Sequence, residues 1–193
     1  MIVAGGKSPA LFFAELSSQP LDWSRVTVTL ADERWVEPGD AASNARLVHE
    51  QLLRGPAAAA LFLPLKTPAP TPAEAIVERS AALAPLLSAS HLVVLGVGDD
   101  GHVASLFPQA RGIEAALDPH AVPGLVAIDP PAAPHKRLSL NLAALLAARE
   151  VALLIQGAAK CAVLAQAAAP GSTLPLAELL RQRRDAIEIF WSP

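Results

Sequence analysis

The stretch HLVVLGVGDDGHVASLFP, residues 91–108, decides the class of fold. Residues 91–97 form a nearly continuous apolar run that leads into a glycine-rich segment. Such a run is expected of a strand buried on both faces, as in a parallel sheet that helices cover on each side. We therefore predict a buried strand here, with Asp99, Asp100 and His102 just beyond its carboxyl end.

Strand and helix signals alternate along the rest of the chain. Short aliphatic or β-branched runs predict strands at 26–30, 91–97, 125–128, 137–140, 150–155 and 187–191. Capping residues and first-turn prolines predict helices at 8–16, 43–53, 71–87 and 158–168. This alternation predicts an α/β fold of three layers, α/β/α, around a mostly parallel Rossmann-like sheet.

Proline-rich segments mark the joints of this predicted fold. Residues 64–74 and 129–136 are too rich in proline for regular structure, so both are interpreted as connecting loops. The first could instead link two domains, but neither side alone holds a full set of strands. A single domain over residues 1–193 is the expectation.

Composition excludes several classes of protein. With 52% hydrophobic residues and a net charge of -3, the chain can build a core and lacks the charge excess of disordered proteins. No basic stripe suggests nucleic acid as a partner, and the basic run Arg181, Arg183 and Arg184 is predicted to be a solvated helix face. No apolar tract is long enough for a signal peptide or a membrane span, and Cys161 alone cannot form an internal disulfide. A cytoplasmic protein that binds neither membrane nor nucleic acid is therefore expected.

The glycine-rich segment after residue 95 carries the best candidate for catalysis. The side chain of histidine ordinarily titrates close to neutrality, so His102 is suited to act as a general base, and a neighbouring carboxylate would fix its tautomer. A glycine turn whose aspartate caps the next helix is the alternative interpretation. Gly96, Gly98 and Gly101 also satisfy G-x-G-x-x-G, but Pro108 stops the helix that a dinucleotide fingerprint needs.

Other polar clusters are predicted to meet this segment, because ligands of open α/β sheets bind beyond the carboxyl ends of the strands. The loop Gly5-Gly6-Lys7-Ser8 precedes a predicted helix and is a credible cradle for a phosphate, although such a turn also occurs for structural reasons. Asp32-Glu33-Arg34 follows the strand at 26–30 as a polar turn. Arg137 and Lys160 are further candidate cations. The histidines and Cys161 show no metal-ligand spacing, so no metal is expected.

In order along the chain, these clusters resemble the 6-phosphogluconolactonase family. The resemblance rests on five motifs that run from the first residues to the region before the last strand: GGKSP (5–9), LADERWV with SNARL (30–36 and 43–47), LGVGDDGHVASLFP (95–108), KRLSLNLAAL (136–145) and IQGAAKCAVL (155–164). Two departures stand out. Lys7 occupies a position where the family commonly has a small hydroxyl residue, and only four residues precede the glycine loop, so the N-terminal segment is expected to be shorter than usual.

The resemblance implies a sugar-phosphate isomerase-like fold and hydrolysis of 6-phospho-D-glucono-1,5-lactone without metal or cofactor, in the oxidative pentose phosphate pathway. His102 is then the base that activates water, Asp100 its orienting partner, and Arg34 a contact that stabilises developing charge. The remaining expected substrate contacts are Asp32, Asn44 and Gly98, with Gly6, Lys7, Ser8, Arg137 and Lys160 around the phosphate. A monomer or homodimer is expected.

Three rival functions remain. Glucosamine-6-phosphate deaminases are similar in fold and share a GxGxDGH segment, but typically continue AFNEP where this chain has ASLFP, and have DEY where it has DERW. A non-catalytic sugar-phosphate sensor would be fused to a DNA-binding module, and no helix-turn-helix precedes this domain. A dinucleotide oxidoreductase needs an acidic residue about 20 positions after the glycines, and only Asp118 is near that place.

Overall fold

The computed structural model describes residues 1–6, 8–183 and 185–193, apart from the side chains of Ser8 and Ala89. The strands in the described ranges are β1 (Ile2–Val3), β2 (Thr27–Leu30), β3 (Asp32–Arg34), β4 (Leu61–Leu63), β5 (Leu92–Leu95), β6 (Leu125–Ile128), β7 (Arg137–Leu140), β8 (Glu150–Gln156) and β9 (Ile187–Ser192). The helices are α1 (Ser8–Ser17), α2 (Asn44–Gln51), α3 (Pro72–Ala89), α4 (Ile113–Ala116), α5 (Leu142–Leu146), α6 (Gly157–Ala168) and α7 (Pro175–Gln182). Short 3-10 helices span Trp23–Arg25 and Gly55–Ala59.

A six-stranded parallel sheet forms the centre of the molecule, in the order β4-β2-β1-β5-β8-β9. Val93 and Val94 of β5 are both buried, and neighbouring residues of a strand point to opposite faces, so helices cover both faces of the sheet. The predicted α/β/α fold with a mostly parallel sheet is confirmed. Strands β2 and β4 extend the sheet on one side of β1, whereas β5, β8 and β9 extend it on the other. The strand order therefore reverses between β1 and β5, and folds of this kind bind ligands at such a switch point.

A second, antiparallel sheet of three strands, in the order β3-β7-β6, lies apart from the central one. Strands β6 and β7 have the predicted bounds. The prediction of a polar turn at Asp32-Glu33-Arg34 was wrong, because these residues form β3 and pair with Ser139, Leu138 and Arg137 of β7. The polar residues of β3 pair with a strand distant in the sequence, which no local pattern reveals.

Capping residues place the helix starts as predicted. Ser43 is the N-cap of α2 and accepts a hydrogen bond from the N–H of Arg46, while Thr71 caps α3 and binds the N–H and carboxyl group of Glu74. Both caps satisfy N–H groups that have no partner within the helix. The proline-rich segment 129–136 is irregular, as predicted, and it leads directly into β7.

The C-terminal basic run does not form the predicted solvated helix face. Arg181 is exposed at the end of α7, but Arg183 follows that helix and only 4% of its side chain is exposed. Its guanidinium donates to the carbonyl oxygens of Leu146, Ala148 and Arg149, where the chain leaves α5 and enters β8. Arg184 lies outside the described residues. The sequence analysis did not predict strands β1 and β4 or helices α4, α5 and α7.

None of the helices in the described part of the chain is long and apolar enough to cross a bilayer.

Candidate active site

A cavity of about 430 Å³ lies where the loops after β1 and β5 meet, at the switch point of the parallel sheet. Eight of the site residues predicted from the sequence line this one cavity: Gly6, Asp32, Arg34, Asn44, Gly98, His102, Arg137 and Lys160. The antiparallel sheet supplies the two arginines and Asp32, and the parallel sheet supplies the glycine loops. Residues from both sheets therefore converge on one site, although they are far apart in sequence.

His102 and Asp100 form a hydrogen-bonded pair in the loop after β5. Nδ1 of the imidazole lies 2.6 Å from Oδ1 of Asp100, and the same oxygen accepts the backbone N–H of His102 at 3.2 Å. An ionised carboxylate can only accept, so this contact selects the tautomer with the proton on Nδ1 and leaves the lone pair on Nε2. The imidazole lines the cavity, and its Nε2 atom is therefore free to accept a proton.

The absence of a side chain at Gly98 makes room for this pair. A Cβ atom at residue 98 would lie 2.0 Å from Nδ1 of His102 and 2.7 Å from Oδ1 of Asp100. The loop closes with a hydrogen bond of 2.9 Å from the N–H of Gly98 to the carbonyl oxygen of His102. Gly101 has a φ of +79°, a left-handed conformation that glycine adopts without strain.

Phe107 connects the histidine to one of the arginines. Its ring centroid is 4.1 Å from that of His102 and 5.7 Å from the guanidinium carbon of Arg137. Phe107 is itself almost completely buried, so it provides a rigid apolar wall against which both cavity-lining groups pack.

Arg34 and Arg137 bring two positive charges into the cavity. Arg137 is buried, and its guanidinium donates to the carbonyl oxygens of Pro134 and His135 in the loop that precedes β7. Nη1 of Arg34 donates to the carbonyl oxygen of Ala42, and its Nε atom is buried with no hydrogen-bond partner among the described residues. Burial, followed by the charge of Arg34, lowers the pKa of Arg137, although a guanidinium stays protonated at any physiological pH.

Asp32 and Asn44 are held by a buried network. The side-chain amide of Asn44 donates to the carbonyl oxygen of Asp32 at 2.8 Å, and Oδ2 of Asp32 accepts from the hydroxyl of Ser105. Gly5 allows Asn44 to approach the β1 loop, because a Cβ atom there would lie 1.9 Å from Oδ1 of Asn44. Asp32 and Asn44 are thus each held in place by a specific partner.

Glu33 holds the backbone of β3 and the start of α2 together, a role that the sequence did not reveal. Its carboxylate accepts the backbone N–H groups of Arg34, Asn44 and Ala45, each at 2.8 Å, and the hydroxyl of Ser43. It therefore caps α2 and ties that helix to β3. Burial raises the pKa of Glu33, with a smaller contribution from the charge of Asp32, although the three N–H bonds act in the opposite direction. Glu33 is ten positions from the capping residue Ser43 in the sequence, so no local sequence pattern indicates that the two residues meet.

The expected phosphate cradle is described in part. Gly6 lines the cavity with a φ of +100°, and α1 begins at Ser8, two residues later. Lys7 and the side chain of Ser8 lie outside the described residues. Lys160, in the first turn of α6, reaches the cavity from the other side, and its ammonium nitrogen lies 2.6 Å from Oδ1 of Asp99.

Trp35 and Cys161 are not part of the cavity wall. Trp35 donates its indole N–H to the carbonyl oxygens of Ala69 and Pro70, and its ring faces Lys66, so it packs on the proline-rich loop. Cys161 is half-buried and packs against the core. Within residues 1–6, 8–183 and 185–193, no three His, Cys, Asp or Glu side chains cluster in a way that would hold a metal ion.

Comparisons with known proteins agree with this geometry. The model of the family described as glucosamine-6-phosphate isomerases/6-phosphogluconolactonase matches residues 1–191. The chain is 44% identical to a 6-phosphogluconolactonase of Pseudomonas aeruginosa and 42% identical to one of Rhizobium meliloti, in each case over the whole of this chain and 81% or 84% of the relative. The crystal structure of a 6-phosphogluconolactonase from Shewanella baltica superposes with a TM-score of 0.93 at 39% identity, covering 100% of this chain and 82% of that one. The chain therefore belongs to the glucosamine-6-phosphate isomerase/6-phosphogluconolactonase family.

Proposed function

We propose that this protein is an enzyme that hydrolyses 6-phospho-D-glucono-1,5-lactone to 6-phospho-D-gluconate, a step of the oxidative pentose phosphate pathway. The observation that carries the proposal is the His102–Asp100 pair, whose imidazole lines the same cavity as two guanidinium groups and the ammonium group of Lys160. A general base beside a strongly cationic pocket suits an electrophilic ester that bears a phosphate. The full-length similarity to relatives named 6-phosphogluconolactonase supports the same activity.

Nε2 of His102 takes a proton from water as the water oxygen attacks C1 of the lactone. Asp100, bound to Nδ1, holds the ring in the required tautomer and stabilises the imidazolium that forms. Attack at C1 places negative charge on the former carbonyl oxygen, and Arg34 supplies the positive charge that stabilises this oxyanion. The bond between C1 and the ring oxygen then breaks. The imidazolium returns its proton to that oxygen, which regenerates the base.

The phosphate of the substrate is assigned to Gly6, Lys7, Ser8, Arg137 and Lys160, and Asp32, Asn44 and Gly98 are assigned to the sugar. Support for the phosphate end comes from the beginning of α1 at Ser8, because the free N–H groups of a helix N-terminus favour an anion. Arg137 adds a buried guanidinium, which is suited to bidentate contact with phosphate oxygens. Hydrolysis transfers no electrons, so these steps need no redox cofactor.

Residues 1–193 are assigned to one domain, which acts on its sugar-phosphate substrate in the cytoplasm, as a monomer or a homodimer. The residues that line the cavity come from both sheets, so no part of the chain would form the site alone.

An assay of the purified protein tests the proposal. The lactone is generated enzymatically from glucose 6-phosphate, and formation of 6-phosphogluconate is followed against the spontaneous rate. His102→Ala should lower the enzymatic rate by about 10²- to 10⁴-fold. His49 is exposed and lies outside the cavity wall, with its ring centroid 4.8 Å from that of Phe62. His49→Ala should therefore leave the rate unchanged. A wild-type rate no faster than the background would overturn the proposal, and release of ammonia from glucosamine 6-phosphate instead would assign the deaminase activity.

A further inference from the structure

We propose that Asp99 is a specificity-determining residue, which competes with the phosphate of the substrate for Lys160 and so sets the affinity of the site for phosphorylated lactones. The inference rests on the proposed function, since it assigns Lys160 to the phosphate. It goes beyond that assignment, because it gives the carboxylate of Asp99 the role of weakening phosphate binding.

The geometry places Asp99 in competition with any anion that binds Lys160. Asp99 belongs to the loop after β5 and Lys160 to the first turn of α6, 61 residues later, and both line the cavity. Oδ1 of Asp99 lies 2.6 Å from the ammonium nitrogen. A phosphate that approaches Lys160 therefore has to share the ammonium with this carboxylate or displace it.

The two members of the pair differ in their exposure to solvent. The side chain of Asp99 is 88% exposed, whereas that of Lys160 is 19% exposed. Asp99 can turn into water at little cost, while Lys160 is held against the protein. An ion pair of this kind contributes little to stability, so a phosphate dianion, which carries up to twice the charge of a carboxylate, can replace it. Lys160 lowers the pKa of Asp99 by hydrogen bonding and by its charge, so the carboxylate is ionised at neutral pH.

Asp100, which follows Asp99 in the sequence, has a different role. Asp100 binds the imidazole of His102, and Asp99 binds Lys160, so two adjacent aspartates serve the two ends of the site. Removal of the Asp99 carboxylate therefore leaves the hydrogen bond that orients the general base in place. This separation predicts an effect on KM and none on kcat.

The experiment compares wild type with Asp99→Asn on 6-phosphogluconolactone and on unphosphorylated gluconolactone. We expect KM for the phosphorylated lactone to fall about two- to fivefold, the range that an exposed ion pair allows, with kcat unchanged. KM for the unphosphorylated lactone should not change. The exposed Glu114, which lies in α4 away from the cavity, provides Glu114→Gln as a control for the loss of one negative charge.

Lys160→Gln completes a double-mutant cycle. In that background Asp99→Asn should have no effect on KM, because the group for which Asp99 competes is gone. An unchanged KM in the single variant, or a KM that rises because Asp99 merely positions Lys160, would overturn the inference. A decrease equal to that of Glu114→Gln would also overturn it, since net charge would then explain the result.

Titration with inorganic phosphate, followed by calorimetry, separates this inference from the proposed activity. Asp99→Asn should bind phosphate about two- to fivefold more tightly than wild type, and the gain should vanish in the Lys160→Gln background. This outcome without lactonase activity would overturn the proposed function alone. Lactonase activity with equal phosphate affinity in wild type and Asp99→Asn would overturn the role of Asp99 alone.

Discussion

Arg34 of β3 lies directly opposite Arg137 of β7 in an antiparallel pair, and both side chains line the candidate active site. Like charges at directly opposed positions of a sheet are unfavourable. Backbone carbonyl oxygens partly compensate, since Ala42 accepts from Arg34 and Pro134 and His135 accept from Arg137. The two strands thus concentrate positive charge where an anionic substrate and an anionic intermediate are proposed to bind.

Arg137→Lys should raise KM for the phosphorylated lactone by about tenfold, because a lysine retains the charge but loses the planar fork of donors and the contact with the preceding loop. Steady-state kinetics on phosphorylated and unphosphorylated lactones would measure this effect. Arg111→Lys, at an exposed position outside the cavity wall, is the matched control. Equal increases in KM for both lactones would contradict the assignment of Arg137 to the phosphate.

Asp100→Asn should reduce kcat roughly tenfold to a thousandfold with little change in KM, because the amide can donate to Nδ1 and favour the tautomer that leaves no lone pair on Nε2. Asp118 offers a close control, since its Oδ1 accepts the backbone N–H of His120 just as Asp100 accepts that of His102. Asp118→Asn makes the same change, from a carboxylate to an amide, at an equivalent local contact away from the cavity, and should keep full activity. If both variants lost the same fraction of kcat, the orienting role of Asp100 would be refuted.

Gly98→Ala should abolish most of the activity while the protein remains folded. The added methyl group would lie 2.0 Å from Nδ1 of His102, so the imidazole must leave its position beside Asp100. Gly39→Ala is the control, because no atom lies within 4 Å of a Cβ at that position. Circular dichroism would verify the fold, and turnover of the lactone would report the position of the ring. Normal turnover by Gly98→Ala would show that the close approach of the histidine is not required.

Glu33→Gln should lower the free energy of unfolding by about 1–3 kcal/mol, because a glutamine has one acceptor oxygen for N–H groups that now bind two. The loss should depend on pH. Burial raises the pKa of Glu33, so between its ordinary and its raised pKa the folded state binds more protons than the unfolded state. The contribution of Glu33 is therefore fully present below the ordinary pKa and falls as the pH rises through the raised value.

Urea unfolding of wild type and Glu33→Gln over a pH series from about 4 to about 8 measures this dependence. The stability advantage of wild type over the variant should shrink as the pH rises through that window. The same series on Glu114→Gln, at an exposed glutamate, should show no such trend. A difference between wild type and Glu33→Gln that stays constant across the series would exclude a raised pKa at Glu33.

Local signals predicted the elements whose identity depends on neighbouring residues. The apolar run at 91–97 indicated a central buried strand, and β5 occupies Leu92–Leu95 within it. Ser43 and Thr71 indicated helix starts because capping acts over three residues. In contrast, β4 is apolar but has only three residues, which is too short to identify a strand, and β3 consists of charged residues without an apolar pattern.

The sequence by itself determined the α/β class, the helix caps and the glycine-rich loop that contains His102, because each depends on residues a few positions apart. Only the tertiary structure decided which distant groups meet: Arg34 opposite Arg137, Glu33 beneath the start of α2, Asp99 on Lys160, and Arg183 on the end of α5. These contacts depend on the pairing of strands and on the packing of helices. Both are set by the burial of the whole core, which a local pattern of residues does not encode.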